Sequence, residues 1–120
     1  MNLSFSSDEI YNLQKFVMRG GSKTILEFSF DDDESSLPLD ITTSTVVWTM
    51  SEFGQPDYTI ITKQGTLSSD YSCIVTLNSS ETKDIEGKFV QQVTLVDYLG
   101  DEYVVAQGII KINKNNNNDM

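Results

Sequence analysis

At 120 residues, with a 38% hydrophobic share and a mean hydropathy of -0.25, the chain is the size of one domain that can bury a single core. Eighteen Asp and Glu against eight Lys and Arg give a formal net charge of -10, a surface that repels the phosphates of nucleic acid and anionic lipid. No apolar run approaches the ~20 residues that span a bilayer, and the N-terminus lacks the basic start and apolar block of a secretory signal, so nucleic-acid binding, membrane insertion and Sec export are not expected.

Residues 1–14 read as an N-terminal arm, polar with scattered Leu3, Phe5, Ile10 and Leu13. The Ser6-x-x-Glu9 spacing matches a capping box that can hold one helical turn. So short a segment is not stable as an isolated helix. It is expected to fray, or to order against a partner, which makes Leu3, Phe5, Ile10, Leu13 and Phe16 the candidate docking residues.

From Lys15 the pattern changes to strands. QKFVMR ends at Gly20-Gly21, where the backbone is free to turn. In TILEFSF, Leu26, Phe28 and Phe30 share one face, and in STVVWTM, Val46, Trp48 and Met50 do the same. Between these two runs lie four consecutive acids, Asp31 to Glu34, expected to form a solvated turn from which Leu37-Pro38-Leu39 returns to the core edge. DYTIITK is a β-branched run placed to pair with STVVWTM through a SEFGQP loop. GTLSSD reads as a turn cluster. YSCIVTL then sets Tyr71, Cys73, Val75 and Leu77 on one side.

SSETKDIEG is expected to form a single helical turn capped by Ser79 or Ser80 and ended by Gly87. KFVQQVTLVDY and EYVVAQGIIKI form the longest pair of runs, joined by a tight turn at Leu99-Gly100-Asp101. Gly108 marks a bulge or a close backbone approach. The Asn-rich residues 113–120 have nothing to bury and are expected to be disordered. About seven short strands at regular spacing predict an all-β, immunoglobulin-like β-sandwich over residues 15–112, preceded by the short arm.

The sequence contains no histidine and one cysteine. Ser-His-Asp and Cys-His sites are therefore impossible, and the commonest zinc ligand is missing. No glycine pattern matches a phosphate loop or a dinucleotide fingerprint, and no acid pair is singled out for glycoside hydrolysis. The Asp31–Glu34 run offers carboxylates of the kind calcium prefers, but consecutive acids alternate direction and the D-x-D-x-D-G spacing is absent. Catalytic residues, metal ligands and cofactors are thus assigned to none of the positions. Trp48, by its parity with Val46 and Met50, belongs to the core rather than to a ligand platform, and Cys73 reads as a buried, inert thiol. Phe53, Tyr58 and Tyr98 fall in loops or at strand ends and are the candidates for a surface aromatic patch.

Gly21-Ser22-Lys23-Thr24 entering the first core strand, Leu37-Pro38-Leu39-Asp40-Ile41-Thr42 after the acidic turn, and Gly87-Lys88-Phe89 before the final strand pair together resemble the immunoglobulin-like N-terminal domain of phage baseplate upper proteins and related phage tail and virion fibre proteins. The resemblance covers residues 17–112 and lies in layout. The sequence departs from that pattern in having no glycine in the acidic loop and no long C-terminal region. What the resemblance implies is a non-enzymatic virion subunit of a tail, baseplate, capsid decoration or fibre attachment. Such a subunit is assembled in the host cytoplasm, docks on other virion proteins and is homo- or hetero-oligomeric in the particle. Two other classes fit the composition: a carbohydrate-binding module using Phe53, Tyr58 and Tyr98, and an acidic inhibitor that mimics nucleic acid.

Overall fold

The computed structural model describes residues 1–6 and 8–114. Ten strands and one short helix follow in order: β1 (Asn2–Phe5), β2 (Tyr11–Asn12), β3 (Phe16–Arg19), β4 (Thr24–Asp32), β5 (Thr45–Glu52), β6 (Gln55–Gln64), β7 (Thr66–Ser69), β8 (Ser72–Leu77), α1 (Ser79–Thr82), β9 (Gly87–Val96) and β10 (Glu102–Asn113). One sheet has the order β1-β4-β8-β7. The other runs β10-β9-β5-β6, with β2 and β3 both on the outer edge of β10. The order β4-β8-β7 opposed to β10-β9-β5-β6 is the B-E-D and G-F-C-C′ order of an immunoglobulin-type sandwich.

Alternation places the core as expected. Leu26, Phe28 and Phe30 of β4 face Val46, Trp48 and Met50 of β5, with Cys73, Val75 and Leu77 of β8, and all nine are buried. Trp48 has no exposed surface, and its indole Nε1 donates to Oε1 of the equally buried Gln91 at 2.9 Å. That bond fixes which way the Gln91 amide points, and it leaves Nε2 without a partner among the described residues. Tyr71 departs from the expected face: β8 begins one residue later, and Tyr71 sits exposed in the turn before it.

The largest difference from the sequence reading is at the N-terminus. No helical turn forms in the described part of residues 1–14. Instead β1 lies parallel to β4, with Leu3 opposite Phe30, and β2 and β3 lie parallel to β10. Leu3 is 1% exposed and Leu13 7%, so their expected exposure is corrected: both are core residues. Phe5 and Phe16 are half-buried and pack against the same core, and only Ile10 of the five is exposed, at 44%. The physical reason is that β4 and β10 would otherwise each present an unpaired edge. A polar segment with an apolar residue every few positions can cover such edges while dropping side chains between the sheets.

Gly108 makes that closure possible. A Cβ there would stand 2.8 Å from Leu13 Cβ and 2.9 Å from Leu13 O, closer than atoms can sit, while Leu13 N donates to Gln107 O at 2.9 Å. Gly108 is thus a close-approach position, and the β10 bulge falls elsewhere, between Val104 and Ala106. Two smaller corrections follow. Part of the GTLSSD turn cluster is strand β7, paired with β8. The cap of α1 is Asn78, which with Glu81 closes a capping box, because the helix begins at Ser79 itself. Asn113 closes β10, and residues 115–120 of the expected tail lie outside the described residues.

Leu3→Ala is expected to lower unfolding stability by about 2–4 kcal/mol through the cavity it leaves. Ile10→Ala should change it by no more than about 0.5 kcal/mol. Urea unfolding of both variants checks the difference between a buried seam and a free arm.

Candidate functional site

The residues that stay outside the core gather by position along the strands. At one end, here the upper end, lie the end of β4, the start of β5, the end of β9 and the start of β10: Thr45 pairs with Val96, and Glu102 also pairs with Val96. Phe5, opposite Asp32 on β4, meets Tyr103 of β10 edge-on with ring centres 6.2 Å apart. This contact ties the two sheets together there. The lower end holds the β3–β4 turn, α1 and the β5–β6 turn.

The acidic turn is built by its own side chains. Asp32 Oδ1 accepts from Glu34 N at 3.2 Å, Asp32 Oδ2 accepts from Ser35 Oγ at 3.3 Å, and Ser36 N donates to Asp32 O at 2.8 Å. Ser36 takes φ 60° to close it, a conformation that short polar residues tolerate better than most. Asp33 N reaches Phe5 O at 2.9 Å, so the turn is anchored to β1. Among the described residues no group of His, Cys, Asp or Glu side chains has the arrangement of a metal site. The β9–β10 turn follows the same principle: Asp97 Oδ1 accepts from Leu99 N at 3.0 Å and Asp101 N at 2.9 Å, an Asx-type turn with Gly100 at φ 87°. Asp40 Oδ1 accepts from Thr42 Oγ1 at 2.6 Å and Thr42 N at 2.8 Å, and these bonds hold its carboxyl below the usual range.

These turns, together with Asp8, Glu9, Asp70 and Glu102, concentrate most of the acidic residues at the upper end. Arg19, Lys23, Lys83, Lys88 and Lys111 lie at the lower end. Lys63, on β6, is held by Glu81 at 2.6 Å. A cleft of about 380 Å³ lined by Phe5, Ser6, Asp8, Glu9 and Asp32 to Glu34 opens among the acids. Tyr103, beside it, has its phenol pushed above its ordinary value of 10.0, first by the Asp97 charge, then by desolvation and by Asp101.

The expected aromatic patch is divided. Phe53 forms the β5–β6 turn at the lower end, where Lys88 Nζ lies 4.5 Å from its ring centre, and Tyr58 is one residue from the Thr59–Ser51 pair beside it. Tyr98, 78% exposed, lies beyond the far end of β9, whose ten residues span about 30 Å. Strand register, which the sequence does not state, separates them. The upper surface instead presents Tyr98, Leu99, Ile10, Tyr103 and Val104, all exposed; sequence reasoning missed Tyr103 and Val104 because they sit in an apolar run that reads as a core strand, and Leu99 because it reads only as part of the Leu99-Gly100-Asp101 turn. Cys73 is buried, and desolvation with the Glu27 charge pushes its thiol to about 11, which leaves it protonated and unreactive at neutral pH.

No protein-family model matches the sequence, and no curated protein matches it either. Among solved structures the chain is similar to the N-terminal domain of phage TP901-1 ORF48, with a TM-score of 0.61 and 6% identity, over 94% of this chain and 97% of that one. The likeness is one of fold.

Asp97→Asn keeps the acceptor that holds the turn but removes its charge. It is expected to bring the Tyr103 phenol down toward 10.0, as read by NMR titration of the ring. For Cys73, the raised folded pKa means a stability contribution present in full below the thiol's ordinary value of 9.0 and lost as pH rises toward about 11. The difference in unfolding free energy between the parent and Cys73→Ala should shrink across that window.

Proposed function

We propose that the chain is a non-enzymatic phage virion subunit, of a tail, baseplate, capsid decoration or fibre attachment, that works by docking on other virion proteins. The observation that carries this reading is the likeness to the N-terminal domain of phage TP901-1 ORF48 across nearly the whole of both chains, together with the layout features around Leu37-Pro38-Leu39-Asp40 and Gly87-Lys88-Phe89. The absence of histidine from the sequence and the use of the best-placed carboxylates as turn-forming acceptors agree with a binding role. A carbohydrate platform of Phe53, Tyr58 and Tyr98 has no support from their placement, since Tyr98 lies at the opposite end of the sheet from the other two. Within this reading the subunit is made in the host cytoplasm and becomes part of an oligomeric assembly in the particle.

The test is its presence in particles. Density-gradient-purified virions analysed by quantitative mass spectrometry should contain the chain at a fixed ratio to the major structural proteins. A chain abundant in infected cells, absent from particles and held by a host DNA-binding protein would instead favour the acidic-mimic reading.

A further inference from the structure

Residues 8–10, which lead into β2, lie beside the start of β10. Between them is a shallow cleft of about 220 Å³ lined by Ser6, Asp8, Glu9, Ile10, Glu102, Tyr103 and Val104. Its apolar part, Ile10, Tyr103 and Val104, is exposed and rimmed by three carboxylates. We propose that this cleft is a docking surface for a lysine- or arginine-bearing segment of another protein. The proposal rests on the docking reading only for the partner's being a virion component.

The occupant follows from the chemistry of the lining. A Lys or Arg side chain is apolar along its stem and charged at its head, so its stem covers Ile10 and Val104 while its head reaches Asp8, Glu9 or Glu102. The Tyr103 ring offers further attraction to a cation. A purely apolar segment would strip water from the carboxylates with nothing to replace it. The chain cannot supply the cation itself, because among the described residues no Lys or Arg lies at the upper end. A second copy is also a poor match. Its lower end sets Glu52, Asp57, Asp84 and Glu86 among the bases, so too little positive charge is left to answer the acids of the upper end.

The experiment titrates the ¹⁵N-labelled full chain with two synthetic peptides of equal charge and length, one alternating Lys and Leu, the other alternating Lys and Ser. Expected are shift changes confined to residues 8–12 and 101–105, tighter binding of the Lys-Leu peptide, and weakening on raising salt from 0.05 to 0.3 M. The double variant Glu9→Gln, Glu102→Gln should weaken binding about tenfold, while Glu86→Gln at the lower end leaves it unchanged. Because the peptide comparison uses the parent chain, a variant that fails to fold does not remove the test. Equal binding of the two peptides, shift changes spread evenly over the acidic surface, or concentration-dependent self-association that the peptides do not compete with would each overturn the proposal. Absence of the chain from particles would overturn the virion reading and leave the peptide result standing.

Discussion

The sandwich depends on how its open side is closed. Two sheets laid face to face leave β4 and β10 with an unpaired edge each, and three short strands, residues 2–5, 11–12 and 16–19, cover both. Hydrogen bonds satisfy the edges, and Leu3 and Leu13 fill the space between the sheets. Because the covering strands run parallel to their neighbours, no tight hairpin joins them. The chain has to arrive from outside and be held by side chains, which is why a glycine at position 108 matters as much as any large core residue.

Closing the seam at the upper end also decides where charge accumulates. The loops there are polar, short of lysine and tightened by Asp32, Asp40 and Asp97, each bonded to backbone N–H groups. Using carboxylates as turn acceptors brings their charges close together, and that charge raises the phenol of Tyr103. Fold and electrostatics therefore share a cause: the residues that make the upper turns also make that end strongly negative, while the lower turns rely on Gly20, Gly21 and the Asn78–Glu81 capping box.

Much of the core was legible because alternation is regular through Leu26–Phe30, Val46–Met50 and Cys73–Leu77, and Trp48 follows it. The β-sandwich class, the helical turn near Ser79 and the tight turn around Gly100 were legible for the same local reasons. The N-terminal segment was not, since its apolar spacing fits a short helical turn as well as two strands, and what selects the strands is the unpaired edges of β4 and β10, far away in sequence. The same limit applies to the surface. Phe53, Tyr58 and Tyr98 look alike in a loop-by-loop reading, and only the Thr45–Val96 and Glu52–Phe89 pairing sends one of them to the opposite end. The cleft between residues 8–10 and β10 is a juxtaposition of the same long-range kind.

The pairing of β3 with β10 bears on the order in which the chain folds. Phe16 meets Ile110, and Gly20 N meets Asn113 O at 2.8 Å, contacts that close almost the whole described chain into a loop. On a ribosome the partners of β2 and β3 do not exist until β10 has been made, so the early segment must wait, solvated, while the later strands assemble. Non-local contacts of this separation slow the search for the native state. The polar residues around β2 and β3, Asn12, Gln14 and Lys15 among them, then have a second use, keeping a waiting segment soluble until the last strand arrives.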